Sequence, residues 1–235
     1  MTCCAGWTAA ASAGGDGAVA VIRAVVSDFG GVLTTPLKGS FQAFADRSEV
    51  TMAAMGEAFA LLQQREGAHP LHELECGRMT EAAFIAGLQR ALCDVAGREV
   101  ALASLAELLG ELLPNEPMIA LMASLRDEGY RMALLTNNVR EWEQRWRALA
   151  PIDEIFEVVV DSAFVGMRKP EREIYELTMS RLGVSARECL FVDDREDNCA
   201  GAAAVGMRVV RYEDVEQATA EIRAALNGGR GAGRR

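Results

Sequence analysis

Four short segments of the 235-residue chain carry side chains suited to one reaction. Asp28 stands between an apolar run, Ala24-Val25-Val26, and the pair Gly30-Gly31. Thr136 and Asn137 close the segment LLTNN, Lys169 lies in GMRKPEREIY, and Asp193 and Asp194 lie in FVDDREDN. Each alone fits an ordinary polar strand end with its turn. Gathered in one place, the three carboxylates would repel, and they could not all stay ionised unassisted. A divalent, oxygen-seeking cation such as Mg²⁺ would relieve that repulsion, with Lys169 adding one positive charge. The Thr136 hydroxyl, the Asn137 amide and the backbone N–H groups of a glycine loop are neutral donors suited to phosphate oxygens. A carboxylate nucleophile, a cation, a lysine and neutral donors together describe phosphoryl transfer.

Such residues converge only if the chain places them on one edge. Strands are expected at about 22–28, 131–136, 155–160, 189–193 and 207–211, with helical stripes between them. Met118, Leu121, Met122 and Leu125 form one stripe, Ile174, Leu177, Thr178 and Leu182 another, and a last helix covers about 215–226. Trp142, Trp146 and Leu149 at i, i+4 and i+7 read as helix-packing residues. This alternation predicts an α/β fold with a doubly wound, parallel, five-stranded Rossmann-like sheet. Right-handed crossovers then set every strand's C-terminal end on one edge, where such sheets bind ligands. Between Pro36 and Leu113 no comparable strand occurs. Met52, Met55, Phe59 and Leu62 recur at helical spacing, as do Phe84, Leu88, Ala91 and Leu92 after a capping Thr80. Leu102 to Leu113 give a third helical pattern. The expected organisation is a core of residues 21–35 and 114–227, with an inserted helical cap at 36–113 over the sheet edge. A disordered tail (1–20) and a loose one (228–235) flank it.

Composition narrows the partners. The 24 basic and 34 acidic residues give a net charge of −10, with no basic patch, which excludes an ordinary nucleic-acid binder. An anionic substrate must therefore be caught by local positive groups. Cys3, Cys4, Cys76, Cys93, Cys189 and Cys199 form no C-x-x-C pair and suit reduced thiols. The first twenty residues lack the pattern of a signal peptide, and no run suits a membrane span. The expectation is a soluble, cytoplasmic protein with a small phosphorylated substrate and neither nucleic acid nor membrane as partner; monomer and homodimer are both compatible. His69, His72 and Cys76 lie close in sequence, but Pro70 interrupts them and no fourth ligand accompanies them, which argues against zinc.

In order and spacing the four segments, within about Val21 to Tyr212, resemble the haloacid dehalogenase superfamily. Its members are mostly Mg²⁺-dependent phosphatases acting through an aspartyl-phosphate. The insert's position is similar to the helical cap of the first type in subfamily IA. Within it, LECGRMTEAAF (Leu74 to Phe84) resembles the cap segment L-x-x-G-x-(apolar)-[ST]-x-x-x-F. DFGGVL, LLTNN and FVDD together resemble the subgroup containing the N-terminal phosphatase domain of soluble epoxide hydrolases. The resemblance implies Asp28 as nucleophile and Mg²⁺ ligand, with Asp194 and the Gly30 carbonyl completing the protein's share of the metal site. Phe29, Gly30, Thr136, Asn137 and Lys169 would surround the phosphate. Asp193 would orient a metal-bound water or Lys169, and Asn198 would brace that loop.

One position departs from the pattern. Two residues after the nucleophile the family usually carries a second Asp, the acid that protonates the leaving group; here it is Gly30. Such acid help is worth about 10²–10⁴-fold. The sequence thus predicts a phosphatase that is slow, favours good leaving groups such as anomeric or acyl phosphates, or draws a proton from His69, His72, Glu73 or Glu75 of the cap. Sugar phosphates and lipid-like phosphates are the substrate classes considered. The alternative is a weak or inactive phosphate-binding protein. A 2-haloacid dehalogenase is the weaker reading, because that reaction has no use for the Asp193–Asp194 pair and its enzymes typically carry Tyr where Gly30 stands.

Overall fold

The computed structural model describes residues 20–36, 42, 44–102 and 112–228. Both tails, apart from Ala20 and Gly228, lie outside these residues, as do Cys3, Cys4 and most of the helical pattern between Leu102 and Leu113.

Five parallel strands form one sheet in the order β3-β2-β1-β4-β5. They are β1 Ala24–Ser27, β2 Arg131–Thr136, β3 Val158–Asp161, β4 Cys189–Asp193 and β5 Arg208–Arg211. Alternate residues along the strands enter two different cores. Val25, Met132, Leu134, Leu190 and Val192 face one; Ala24, Val26, Ala133, Leu135 and Phe191 face the other. Both faces are therefore covered, which explains strands read as continuous apolar runs instead of alternating ones. Helices α4 (Glu116–Asp127) and α10 (Val215–Asn227) supply the first core, and α8 (Arg172–Leu182) and α9 (Glu196–Ala204) the second.

Helices α1 (Met52–Glu66), α2 (Pro70–Glu75) and α3 (Glu81–Ala96) fall between β1 and α4, with no sheet strand there among the described residues. Thr51 and Thr80 cap α1 and α3, accepting from Ala54 N at 3.1 Å and Ala83 N at 3.2 Å. The chain leaves and rejoins the core through a short stem. Thr34 bridges Pro114, Thr35 N donates to Leu113 O at 2.9 Å, and Asn115 N donates to Leu33 O at 2.8 Å.

Two elements differ from expectation. The third strand begins at Val158, not Ile155, because Pro151 opens a short helix, α6 (Ile152–Ile155), that buries Ile152 and Ile155. The stretch around Trp142 is not one helix. Arg140–Trp142 is a 3₁₀ turn, and α5 (Glu143–Arg147) holds Trp146, which packs on Phe29 with ring centroids 5.2 Å apart. The packing role of both tryptophans holds all the same, since both are buried. After β3 comes α7 (Ser162–Val165). Among the described residues no helix is long and apolar enough to cross a membrane.

Candidate active site

Strand register assembles the site. The chain runs from β1 outward to β2 and β3, then returns to β1's other side for β4 and β5, so the order reverses between β1 and β4. Such a reversal opens a crevice at the strands' C-terminal ends. Ser27 pairs with Val192 and Leu134, which puts Asp28 level with Asp193 and one step below Thr136. Asp28 N donates to Val192 O at 2.8 Å, fixing the backbone beyond the last strand residue.

Lys169 arrives from the loop between α7 and α8 and is 1% exposed. Its Nζ lies 2.7 Å from Asp28 Oδ1 and 2.7 Å from Asp193 Oδ2. A buried ammonium survives only when paired in this way. The remaining valences of Asp193 are also taken. Its Oδ1 accepts from Arg195 N at 2.9 Å, and Asn198 Nδ2 donates to both oxygens at 3.0 and 3.1 Å. Asp193 is thus the anchor of Lys169, and Asn198 braces it. Asn137 binds the same lysine by its backbone: Lys169 N donates to Asn137 Oδ1 at 2.9 Å, and Asn137 Nδ2 donates to Lys169 O at 3.0 Å. The amide expected at the phosphate therefore serves the lysine loop.

Asp28, Asp193 and Asp194 each offer an oxygen within 4.8 Å of the others. Burial raises the Asp28 pKa to about 7; Lys169 pulls it down, while Asp193 and Asp194 push it up. Asp194 is raised by burial and by Asp193. Burial alone would lower the Lys169 pKa, but Asp193 and Asp28 outweigh it and hold it above the ordinary value. Three carboxylates against one ammonium leave two formal negative charges, a set that a hard divalent cation matches.

The structure brings together Asp28, Gly30, Asn137, Lys169, Asp194 and Asn198 as lining of one cavity of about 530 Å³. Thr136 is buried at the end of β2, and the Phe29 side chain is buried against Trp146, leaving Phe29 only its backbone for a ligand. Four features escaped the sequence reading. Gly31 has φ +86°, and a Cβ there would lie 2.5 Å from Asp194 Oδ2, so this glycine makes room for the carboxylate. Gly201 lets α9 approach Pro170, where a Cβ would meet Pro170 O at 2.7 Å. Arg168 and Arg195 also line the cavity. So do Met52, Met55, Phe59 and Leu71 of the helical insert. The glycine pair was the signal for Gly31; nothing in sequence pointed to Gly201.

Of the polar cluster His69, His72, Glu73 and Glu75, only Glu75 is among the cavity residues. His69 and His72 stack with centroids 4.5 Å apart, and His69 stacks on Phe59 at 5.7 Å. Burial and Arg168 lower both pKa values, that of His72 to about 4. Glu73 pairs with Arg78 at 2.9 Å. Glu75 Oε2 lies 2.7 Å from Arg168 Nε, and burial raises its pKa against the pull of that guanidinium. The end of α2 is seated on α7: Ser162 Oγ donates to Glu75 O at 2.6 Å, and a Cβ on Gly77 would lie 2.2 Å from Ala163 O.

This constellation matches one family over most of the chain: the haloacid dehalogenase-like hydrolase model fits residues 22–206. The chain belongs to that family. Among curated relatives, the sesquiterpene phosphatase astK of Aspergillus oryzae is 32% identical over 134 residues, covering 54% of this chain and 64% of its own. Bifunctional epoxide hydrolase 2 of Rattus norvegicus is 30% identical over 112 residues, 46% of this chain and 20% of that one. The chain spans less than two thirds of either relative. Two solved family structures share the fold. A haloacid dehalogenase family enzyme from Bacteroides thetaiotaomicron, in complex with magnesium and inorganic phosphate, has a TM-score of 0.62 at 23% identity, covering 82% of this chain and 94% of that one. L-2-haloacid dehalogenase from Xanthobacter autotrophicus, with chloropropionic acid covalently bound, has a TM-score of 0.57 at 23% identity, covering 87% and 83%. The haloacid dehalogenase-like fold thus carries phosphatase relatives and a dehalogenase neighbour alike, and the choice between them rests on side chains.

Proposed function

We propose that the chain is a soluble, cytoplasmic, Mg²⁺-dependent phosphatase of a small phosphorylated compound, acting through an aspartyl-phosphate on Asp28. In this reading residues 21–35 and 114–227 are the catalytic core and residues 36–113 its helical cap. The observation that carries the proposal is Lys169 held 2.7 Å from both Asp28 and Asp193, with Asp194 completing an acidic cluster at the sheet edge. The phosphatase relative supports it. The donor set fits a hard cation, and Gly31 leaves the Asp194 carboxylate the space to take part. Asp28, Asp194 and the Gly30 carbonyl would hold the ion, while Asp193 stays committed to Lys169. When bound, Mg²⁺ supplies the neutralisation that lets a phosphate dianion approach carboxylates.

The Asp28 carboxylate attacks phosphorus, the bond from phosphorus to the leaving oxygen breaks, and that oxygen takes a proton from solvent. Water then attacks the phosphorus of the aspartyl-phosphate, breaking its bond to Asp28. Inorganic phosphate and the free carboxylate result, one water being consumed overall. Thr136 and the loop N–H groups after Asp28 donate to the phosphoryl oxygens, and Lys169 balances their charge. Asn137 positions Lys169 by its backbone. Gly30 brings no acid, so turnover depends strongly on leaving-group basicity. Glu75, paired with Arg168, serves to position that arginine over the cavity.

A phosphate-release screen over phosphomonoesters and acyl phosphates, with and without Mg²⁺ and with Asp28→Asn as control, tests this reading. Mg²⁺-dependent release lost in the variant is expected. Chloride release from a haloacid without Mg²⁺ would establish the dehalogenase instead. Phosphate binding with no release from any ester would establish the binding protein.

A further inference from the structure

The cavity above Asp28 has two unlike sides. Its floor is charged, with Asp28, Lys169 and Asp194. Its wall, contributed by α1 and α2, presents Met52, Met55, Phe59 and Leu71. Resting on the phosphatase reading above, we propose that the phosphate is carried on an apolar, hydrocarbon-like group, and that sugar phosphates are disfavoured.

Met52, Met55 and Phe59 fall at i, i+3 and i+7, so one helix face offers two thioethers and a phenyl ring to the cavity. None can replace the water that a sugar hydroxyl gives up on entry, and each such unmet hydrogen bond weakens binding. Hydrocarbon loses nothing there and gains by burial. Of the polar cluster that the insert carries nearby, only Glu75 lines the cavity. Glu75 is held by Arg168 at 2.7 Å, and His69 and His72 stack on one another outside the residues that line the cavity, His69 Nδ1 being buried without a hydrogen-bond partner. Met52 is 46% exposed, an apolar side chain left open beside the charged floor. Methionine on a binding surface adapts to a flexible apolar partner. The volume, about 530 Å³, lies within the range of pockets that enclose whole organic ligands, well beyond the need of a phosphate group.

The n-alkyl phosphates provide the test. They share one leaving-group basicity, so the missing acid at Gly30 slows them alike and their ratios report the wall. Ethyl, butyl, hexyl and octyl phosphate are compared with glucose 6-phosphate by kcat/KM with Mg²⁺, and by calorimetric binding to the same protein. The expected gain is about threefold per added methylene until the cavity is filled. Octyl phosphate should exceed ethyl phosphate and glucose 6-phosphate by more than about tenfold. Phe59→Ser, or Met55→Ser should the first fail to fold, should cut the octyl-to-ethyl ratio by about tenfold. Phosphate release with a flat alkyl series, or with glucose 6-phosphate preferred, overturns the apolar-substrate proposal and leaves the phosphatase reading standing. No release, but octyl binding at least tenfold tighter than ethyl, upholds the preference and refutes hydrolysis of alkyl phosphates. Octyl binding no tighter than ethyl overturns the preference whatever the turnover.

Discussion

At the floor of the cavity Asp28, Asp193 and Lys169 grip one another through charged contacts of 2.7 Å. On the wall, Met52, Met55, Phe59 and Leu71 meet the same space with apolar surface alone. The floor is set by backbone register: parallel pairing brings Asp28 level with Asp193, and each oxygen of Asp193 is spoken for. The wall is set by side-chain packing, which accepts substitution of similar volume at small cost. A molecule built this way can keep one reaction while its choice of substrate drifts, because altering the wall leaves the charged contacts of the floor in place.

The sharpest way to break the comparison is at the nucleophile. Asp28→Asn should reduce phosphate release by about 10⁴-fold or more while octyl phosphate still binds by calorimetry. Lys169→Met strands two buried carboxylates. A loss of about 10²–10³-fold in kcat is expected, with about 3 kcal/mol of stability lost in urea unfolding. An equivalent wall change, such as Leu71→Met, should cost well under 1.5 kcal/mol. Gly31→Ala drives a Cβ against Asp194 and strains a left-handed backbone. It should raise the Mg²⁺ concentration needed for half-maximal activity by about tenfold, with about 1–3 kcal/mol of destabilisation. If Gly31→Ala left the Mg²⁺ requirement unchanged, Asp194 would not be a ligand.

The effect furthest from the reaction concerns Asp161, an edge carboxylate beside Thr136 that lies outside the acidic cluster. Burial raises its pKa from 3.8 to about 6, with Glu143 adding to the rise. Its Oδ1 caps α7 by accepting from Ala163 N at 3.0 Å. Its Oδ2 and the Trp146 indole N–H are both buried without a partner in hydrogen-bond geometry, though the indole draws the pKa down a little. The folded state holds this proton where the unfolded chain has released it. The stabilisation is therefore complete below about pH 4 and is lost as pH rises to about 6. Asp161→Asn, which can still cap the helix, should leave stability at pH 4 unchanged and raise it at pH 7.5 by about 1–3 kcal/mol. Thermal melts at the two pH values decide it.

The floor was largely legible in sequence because carboxylates and a threonine closed predicted strands, and parallel pairing leaves such ends level. The bonds from Asn137 to the Lys169 backbone were not, since an amide suits a phosphate oxygen and a backbone peptide equally well, and only the fold shows Lys169 beside it. Gly31 was half legible: the pair announced a turn, but the Asp194 carboxylate that needs the space comes from a remote strand. The α1 stripe was read correctly as helix. Period reveals a face without revealing what it faces, so the exposure of Met52 and Phe59 to the cavity could not be separated from the packing of Leu62. The third strand began late because Pro151 and the apolar Ile152 and Ile155 formed a turn of helix that a simple apolar run conceals.

Among the described residues the helical insert contacts the core at several points, Glu81 N donating to Glu141 Oε1 at 3.1 Å among them, and two of them are backbone seats. One is the stem pairing Thr34 and Thr35 with Leu113 and Pro114; the other is the contact of Gly77 with Ala163. Two fixed seats define an axle. Any rigid movement that keeps both can only swing the insert about the line through them, as a door turns on two pins, and Glu75, whose carbonyl accepts from Ser162 beside the second pin, would travel little.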